Sequence, residues 1–417
     1  MPSVDFSLHT SSFSLDHQAL SKLIVDQDNV LIIQDLDGVC MGLVKDPLTR
    51  VIDPRYLAAI KSLSGQFFVL TNGEHIGKRG VNSIVEKTVS DVEKVKQEGL
   101  YLPGLAGGGV QWQDCYGNIS HPGVSQAELD FLAAVPQKIT DRLQQLVTKY
   151  GLQSDRATQC IEATVLDNLV SPTANLNVFH EVLSPSEYAD LQQEMHQLMT
   201  ELLAAAAEQG LGDSFFVHYA PNLGRDDRGI EIMQPAKGED SGTTDFQFML
   251  RGAIKEVGVL VILNHYYYLQ TGRFPLGKDF NARQAPAQHS ALLDLVQKNF
   301  APDLMPTIIG VGDTVTSKAQ EINGTLQFGR GGSDRGFLEL IQAIGQEFDT
   351  GNIVVYVDSS RGEVKNRKSL KFEGSQVVEG PGDPRDTKDP LTLNVVFPEG
   401  HEQYIDFLVN TASSKNK

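Results

Sequence analysis

Val30-Leu-Ile-Ile-Gln-Asp35-Leu-Asp37-Gly38-Val39 is the stretch on which the fold turns. It begins as a short apolar run, as a buried strand does, and the run stops at two aspartates. Side chains alternate faces along an extended chain, so Asp35 and Asp37, two residues apart, share one side. Gly38 permits a sharp turn after them, and both carboxylates can then border one cavity. Two carboxylates that close repel each other unless a cation or a shared proton joins them. A hard divalent cation with oxygen ligands fits, and magnesium is the usual choice beside phosphate. The plain alternative is a pair of turn or helix-capping aspartates. The apolar run in front of them favours the functional reading.

Three more runs of this kind follow. Phe67–Leu70 stops at Thr71-Asn72-Gly73, residues 307–311 stop at Gly312-Asp313-Thr314, and residues 352–357 stop at Asp358-Ser359-Ser360. Stretches between them, among them 245–255 and 335–348, read as helix. Strands alternating with helices predict an α/β fold with a doubly wound parallel sheet covered on both faces. Such sheets bind ligands at the carboxyl ends of their strands. Asp35, Asp37, Thr71, Asn72 and Asp313 gather at those ends. The middle of the chain reads as helix 126–150, strands 160–166 and 175–182, helix 185–209, then strands 214–219 and 229–233. That order predicts an α+β module inserted into the sheet domain. The expected division is 1–122 and 229–417 for the core and 123–228 for the module. A length of 417 residues suits such a two-part unit. A loop rich in Gly, Pro and charge, 374–389, precedes a last strand and helix at 391–397 and 402–411.

Lys and Arg total 35 against 53 Asp and Glu, a net charge of −18. That balance excludes a general nucleic-acid binder and disfavours an anionic membrane surface. A phosphorylated small molecule would need a local positive pocket or a metal. Cys40, Cys115 and Cys160 have neither disulfide-framework nor zinc spacing. No leader-like segment opens the sequence, and the longest apolar stretch, around 257–263, is too short to span a bilayer. A cytoplasmic setting is expected. The glycine strings at 107–109 and 329–332 match neither a dinucleotide fingerprint nor a P-loop. His75, His121 and His218 show no paired metal spacing.

The Asp35-Leu-Asp37-Gly38 string resembles the first motif of the haloacid dehalogenase (HAD) superfamily of phosphohydrolases. The resemblance implies that Asp35 is a nucleophile and Asp37 a general acid and base, with both at a magnesium site. Leu70-Thr71-Asn72 resembles the second motif, which implies a Thr71 hydroxyl on a phosphoryl oxygen and an orienting Asn72. For the lysine of the third motif, Lys237 in Glu231-Ile-Met-Gln-Pro-Ala-Lys-Gly238 is the first choice. Lys255 is second, because it falls in a stretch read as helix. Gly310-Val-Gly-Asp313-Thr314 resembles the metal-binding turn of the fourth motif, with Asp313 as ligand. The usual following acid is missing from Val315-Thr316-Ser317-Lys318. An insertion at 320–332 would explain that, with Asp334 then standing behind the metal ligands beside Thr314. The alternative for Asp334 is a helix N-cap.

The module lies between the second and third motifs. This order resembles the HAD branch with an αββαββ (C2-type) cap, which includes sucrose- and trehalose-phosphate phosphatases. Residues 34–41, 70–75, 77–80, 215–225 and 241–247 resemble, more closely, the cyanobacterial glucosylglycerol-phosphate phosphatase family. That implies hydrolysis of 2-O-glucosylglycerol 3-phosphate to the osmoprotectant glucosylglycerol under salt stress. It also implies a small-molecule sugar-phosphate substrate, and the synthase that makes it as a candidate partner. Sugar selection is expected from polar residues facing the cap. These are Gly73, Glu74, His75, Lys78 and Arg79 after the second motif, Asp167 and Asn168 after the first cap strand, and Asn222 and Arg225 at the cap exit. Competing readings are another sugar-phosphate phosphatase, a phosphomutase with the same aspartyl-phosphate chemistry, or a non-catalytic sugar-phosphate-binding protein.

Overall fold

Val30–Gln34 is buried at every position, as a strand covered on both faces must be. Its side chains split by alternation. Leu31 and Ile33 enter one apolar cluster, with Phe68, Leu70, Val257, Leu260 and Ile341. Val30 and Ile32 enter another, with Phe67, Val69, Tyr56, Ile24 and Leu408. The structure, a computed structural model, describes residues 8–322, 324–364 and 366–415. Val30–Gln34 pairs in parallel with Thr307–Gly312 on one side and Phe67–Leu70 on the other. Ile353–Val357 and Val395–Phe397 extend the sheet beyond the first neighbour, and Gly104–Ala106 extends it beyond the second, all in parallel. Gln111–Gln113 and Ile119–Ser120 close that edge antiparallel, giving eight strands among the described residues. Helices Lys255–Thr271 and Arg335–Phe348 pack on one face, and His17–Asp26, Pro54–Ser62 and His401–Lys415 line the other.

The inserted module has its own four-stranded sheet, in the order Val165–Leu166, Thr173–Asn175, Asp245–Leu250, Phe215–Ala220. Helices Gln126–Lys149 and Pro185–Glu208 bury Leu132, Leu143, Leu191 and Met195 in the same cluster as Phe246 and Phe248 of that sheet. Each helix opens with a capping box, Ser125 with Glu128 and Ser184 with Glu187, which satisfies otherwise orphaned N–H groups.

Several expected elements are corrected here. Residues 245–250 form the central cap strand, not a helix, and this strand lies past the expected boundary at 228. The sequence Asp-Phe-Gln-Phe has a period of two: Phe246 and Phe248 enter the core, and Asp245 and Gln247 point the other way. The αββαββ order thus holds with 245–250 as its last strand. Residues 231–233, expected in that place, form a separate ribbon with Asn222–Arg225. Residues 160–164 end a helix, Ser154–Thr164, and leave only Val165–Leu166 as strand. The strand expected over 175–182 is already ending at Asn175, and a short helix follows, Asn177–His180. The insertion at 320–332 belongs to a hairpin, Thr316–Ile322 with Thr325–Gly331.

Candidate active site

Asp35 follows the Val30–Gln34 strand and is nearly buried; its backbone N–H donates to the Val311 carbonyl at 2.9 Å. Gly38, with φ +82°, brings the loop against the next strand so closely that a Cβ there would lie 2.2 Å from Asp313 Oδ2. Only glycine fits that approach. Asp313 and Thr314 follow the Thr307–Gly312 strand. Thr71 and Asn72 follow Phe67–Leu70. Three strand ends therefore converge on one cavity, lined by Asp35, Asp37, Thr71, Asn72, Lys255 and Asp313 among others.

Lys255 is the first residue of its helix, and its ammonium is fully enclosed. Nζ lies 3.0 Å from Asp35 Oδ2 and 2.6 Å from Asp334 Oδ1. The other oxygen of Asp334 accepts the backbone N–H groups of Asp313 and Thr314, both at 2.9 Å. Asp334 stands at the N-cap position of its helix, but its side chain makes no cap bond there and turns to Lys255 and the 313–314 backbone instead. Thr314 Oγ1 donates to Asp313 Oδ1 at 2.8 Å. Burial drives the Asp35 carboxyl well above the usual range; Lys255 opposes that rise, and Asp334 and Asp313 add to it. Burial likewise lifts Asp313 to about 6, against the pull of Arg367 and with a push from Asp334. Burial alone would lower Lys255, but Asp334 and Asp35 outweigh it and hold the ammonium charged.

Oxygens of Asp35, Asp313 and Asp334 lie within 4.8 Å of one another. Both Asp334 oxygens already have donors. Among the described residues Asp35 Oδ1 and Asp313 Oδ2 are buried without a hydrogen-bond partner, and Arg367 Nε stands 3.6 Å from Asp313 Oδ2. Buried carboxylate oxygens left without donors are costly unless a cation joins them, so the donor set fits a hard divalent ion. Asp37 is more open and takes both of its hydrogen bonds from Arg50 Nη1, at 2.9 and 3.1 Å.

Residues 29–412 match the family model described as glucosylglycerol-phosphate phosphatase. The chain belongs to the glucosylglycerol-phosphate phosphatase family. It is accordingly a phosphatase. A glucosylglycerol-phosphate phosphatase from Synechocystis sp. is 58% identical over 406 residues, 95% of this chain and 96% of that protein. Two solved structures have distant likeness. The C-terminal domain of C. albicans trehalose-6-phosphate phosphatase has a TM-score of 0.48 at 11% identity, covering 97% of this chain and 99% of that one. The C-terminal domain of the Candida albicans trehalose synthase regulatory protein has a TM-score of 0.44 at 10% identity, covering 95% and 99%. Among its described residues no helix is long and apolar enough to cross a membrane.

In this phosphatase the expected lysine is replaced. Lys237 is exposed in a turn closed by its N–H to the Asp240 carbonyl, and it lines a different pocket, with Glu181 and Tyr188. Lys255 stands beside Asp35 instead. Several residues expected to bind sugar are otherwise engaged. Glu74 borders the cavity, but its carboxylate accepts the N–H groups of Leu169 and Ser171, both at 2.9 Å, and also that of Val170. It is a clamp on the segment that enters the cap sheet. His75 is fully buried between the Gly104 carbonyl and Gln113. Lys78 is exposed, and Asp167 is exposed and paired with Arg79 at 3.2 Å. Asn222 and Arg225 bond Glu231 beside a neighbouring pocket. Gly73, Arg79 and Asn168 do line the cavity.

The cavity also takes residues the sequence reading passed over. Thr173, Asn175, Asp245 and Gln247 come from the polar face of the cap sheet, and Arg50, Asn366 and Arg367 from core loops. Alternation in 245–248 was the available signal for the cap pair. The arginines carry no local signal, since their positions depend on loops closing from elsewhere in the chain.

Proposed function

We propose that this chain hydrolyses 2-O-glucosylglycerol 3-phosphate to glucosylglycerol and phosphate. The observation that carries the mechanism is the pair of buried oxygens on Asp35 and Asp313 that lack a hydrogen-bond donor among the described residues, beside the charged Lys255. Asp35 attacks phosphorus, and the bond from phosphorus to the glycerol oxygen breaks as Asp37 gives that oxygen a proton. Water then attacks the aspartyl phosphate, giving a proton back to Asp37. The bond from phosphorus to Asp35 breaks and phosphate leaves. Thr71 bonds a phosphoryl oxygen, and Lys255 offsets the charge of Asp35 and of the phosphoryl group. Asp35, Asp313 and the Asp37 region would hold Mg²⁺, which supplies charge neutralisation of the phosphoryl oxygens. Asp334 orients the turn that carries Asp313 and fixes Lys255.

The polar face of the cap sheet supports the choice of substrate. Asn175 Nδ2 donates to Asp245 Oδ1 at 2.8 Å, and Gln247 Oε1 is buried with no donor among the described residues. Planar amides and a carboxylate facing the phosphate site suit the hydroxyls of a glucosyl group. Free cysteines at 40, 115 and 160 suit a reducing compartment, and we place the reaction in the cytoplasm, in osmoprotectant synthesis under salt stress. Phosphate release should be measured across glucosylglycerol phosphate, glycerol 3-phosphate, sucrose 6-phosphate and trehalose 6-phosphate with Mg²⁺. The first should have the highest kcat/KM; equal values for glycerol 3-phosphate would contradict a role for the cap in selection.

A further inference from the structure

We infer that His218, a cap residue, sets the orientation of the Asn72 amide and so ties the phosphate end of the site to the seating of the cap. This rests on the reading that phosphate is transferred at Asp35. Asn72 belongs to the core, directly after Thr71, and borders the cavity that holds Asp35. Its Nδ2 lies 3.1 Å from His218 Nε2. His218 sits in the cap strand Phe215–Ala220, opposite Gln247, and so on the polar face of that sheet.

The ring itself is held from behind. His218 Nδ1 lies 3.0 Å from Glu231 Oε1. Glu231 also accepts the Tyr219 N–H at 2.9 Å, Arg225 Nη2 at 3.0 Å and Asn222 Nδ2 at 3.3 Å. Acceptor-only Glu231 requires a proton on His218 Nδ1, and Asn72 Nδ2, which can only donate, faces Nε2 as its acceptor. An acceptor there takes the nitrogen end of the Asn72 amide and fixes the group end for end. His218 and Glu231 are both almost fully buried. The bond from His218 crosses from cap to core. It exists only while the two are seated together, and Asn72 is oriented only then. His218 is a positioning residue acting through Asn72.

The test is a double-mutant cycle of His218→Ala and Asn72→Ala, with kcat and KM measured on glucosylglycerol phosphate under saturating Mg²⁺. Each single change should lower kcat by roughly tenfold to a hundredfold, since small misplacements near the reacting atoms cost that much. KM should stay within about threefold, because the lost contact is one of orientation and not of sugar binding. The double variant should be no slower than the slower single variant. His218→Gln, which can offer an acceptor from a similar position, should recover part of the loss. Should His218→Ala fail to fold, His218→Phe fills the space without the acceptor and takes its place in the cycle. Effects that multiply, or a His218→Ala enzyme with wild-type kcat, would overturn the inference. Asp35→Asn separates the two readings. If Asp35→Asn is inactive, multiplying effects discard the His218 relay alone. An active Asp35→Asn discards the mechanism beneath it.

Discussion

Lys255 holds Asp35 and Asp334 at once from a fully buried position, and among the described residues no other lysine lines the cavity. Lys255→Ala should lower kcat by roughly 10²–10³, the loss seen when one charge-stabilising donor is removed from a reacting centre. Lys237→Ala should leave kcat near wild type, and steady-state kinetics on both variants checks the pair. Lys255 was hard to read because a lysine next to an apolar stretch looks like a helix-surface residue. Its burial depends on two carboxylates that arrive from residues 35 and 334. Asp35, Asp37, Thr71 and Asp313 were legible for the opposite reason: each directly follows an apolar strand whose end fixes its position. His75 gives a second test at this scale. Burial holds its ring at about 4, below the ordinary 6.5. The folded state therefore prefers neutral His75, and that contribution is complete above about 6.5 and lost as pH falls toward 4. The loss is about 2–4 kcal/mol by linkage. Chemical denaturation at pH 7 and at pH 4.5 should show it, and His75→Gln should flatten that part of the acid limb.

Glu74 links two elements that are far apart in sequence. Its carboxylate collects the N–H groups of 169–171, at the entry to the cap sheet, and the Ser171 hydroxyl. Glu74→Ala would leave those buried N–H groups unpaired, at roughly 1–3 kcal/mol for each that finds no water. Thermal melting should fall, and limited proteolysis should begin near residues 168–172, while a small generic phosphate ester should keep more of its kcat than glucosylglycerol phosphate does. The cap strand Asp245–Leu250 makes a separate prediction. Gln247→Leu removes a buried acceptor that has no donor among the described residues. It should lower kcat/KM for glucosylglycerol phosphate by roughly tenfold or more and leave glycerol 3-phosphate little changed, as loss of a hydroxyl partner does. This element was misread as helix because its apolar residues continue through Met249 and Leu250 toward the helix that begins at Lys255. The period of two shows only in its first four residues. The long cap helices were legible from the amphipathic pattern of 126–150 and from the Ala, Leu, Glu and Gln content of 185–209.

Across the whole molecule, the core sheet was readable because its strands are short, apolar and punctuated by polar ends. The cap was less so, since three of its four sheet strands come from separate segments whose pairing is set by tertiary contact. The core carries a cluster of buried acids, Asp35, Asp313 and Asp334, from which a metal dependence of stability is expected. Asp313, raised to about 6, favours the folded state below its unfolded value of 3.8, and that contribution is lost as pH rises through about 6. Mg²⁺ binds the ionised form, so it should raise Tm most above pH 7 and progressively less below pH 6, where protons compete. At a hundredfold excess over Kd the gain should be roughly 2–5 °C, and Asp313→Ala should abolish it in differential scanning fluorimetry. The central claim is that phosphate passes through Asp35. The most direct measurement is release of inorganic phosphate from 2-O-glucosylglycerol 3-phosphate by wild type and by Asp35→Asn, each with Mg²⁺ and with folding verified by circular dichroism. The account predicts turnover by wild type and none by Asp35→Asn; a folded Asp35→Asn enzyme releasing phosphate at a near-wild-type rate would contradict it.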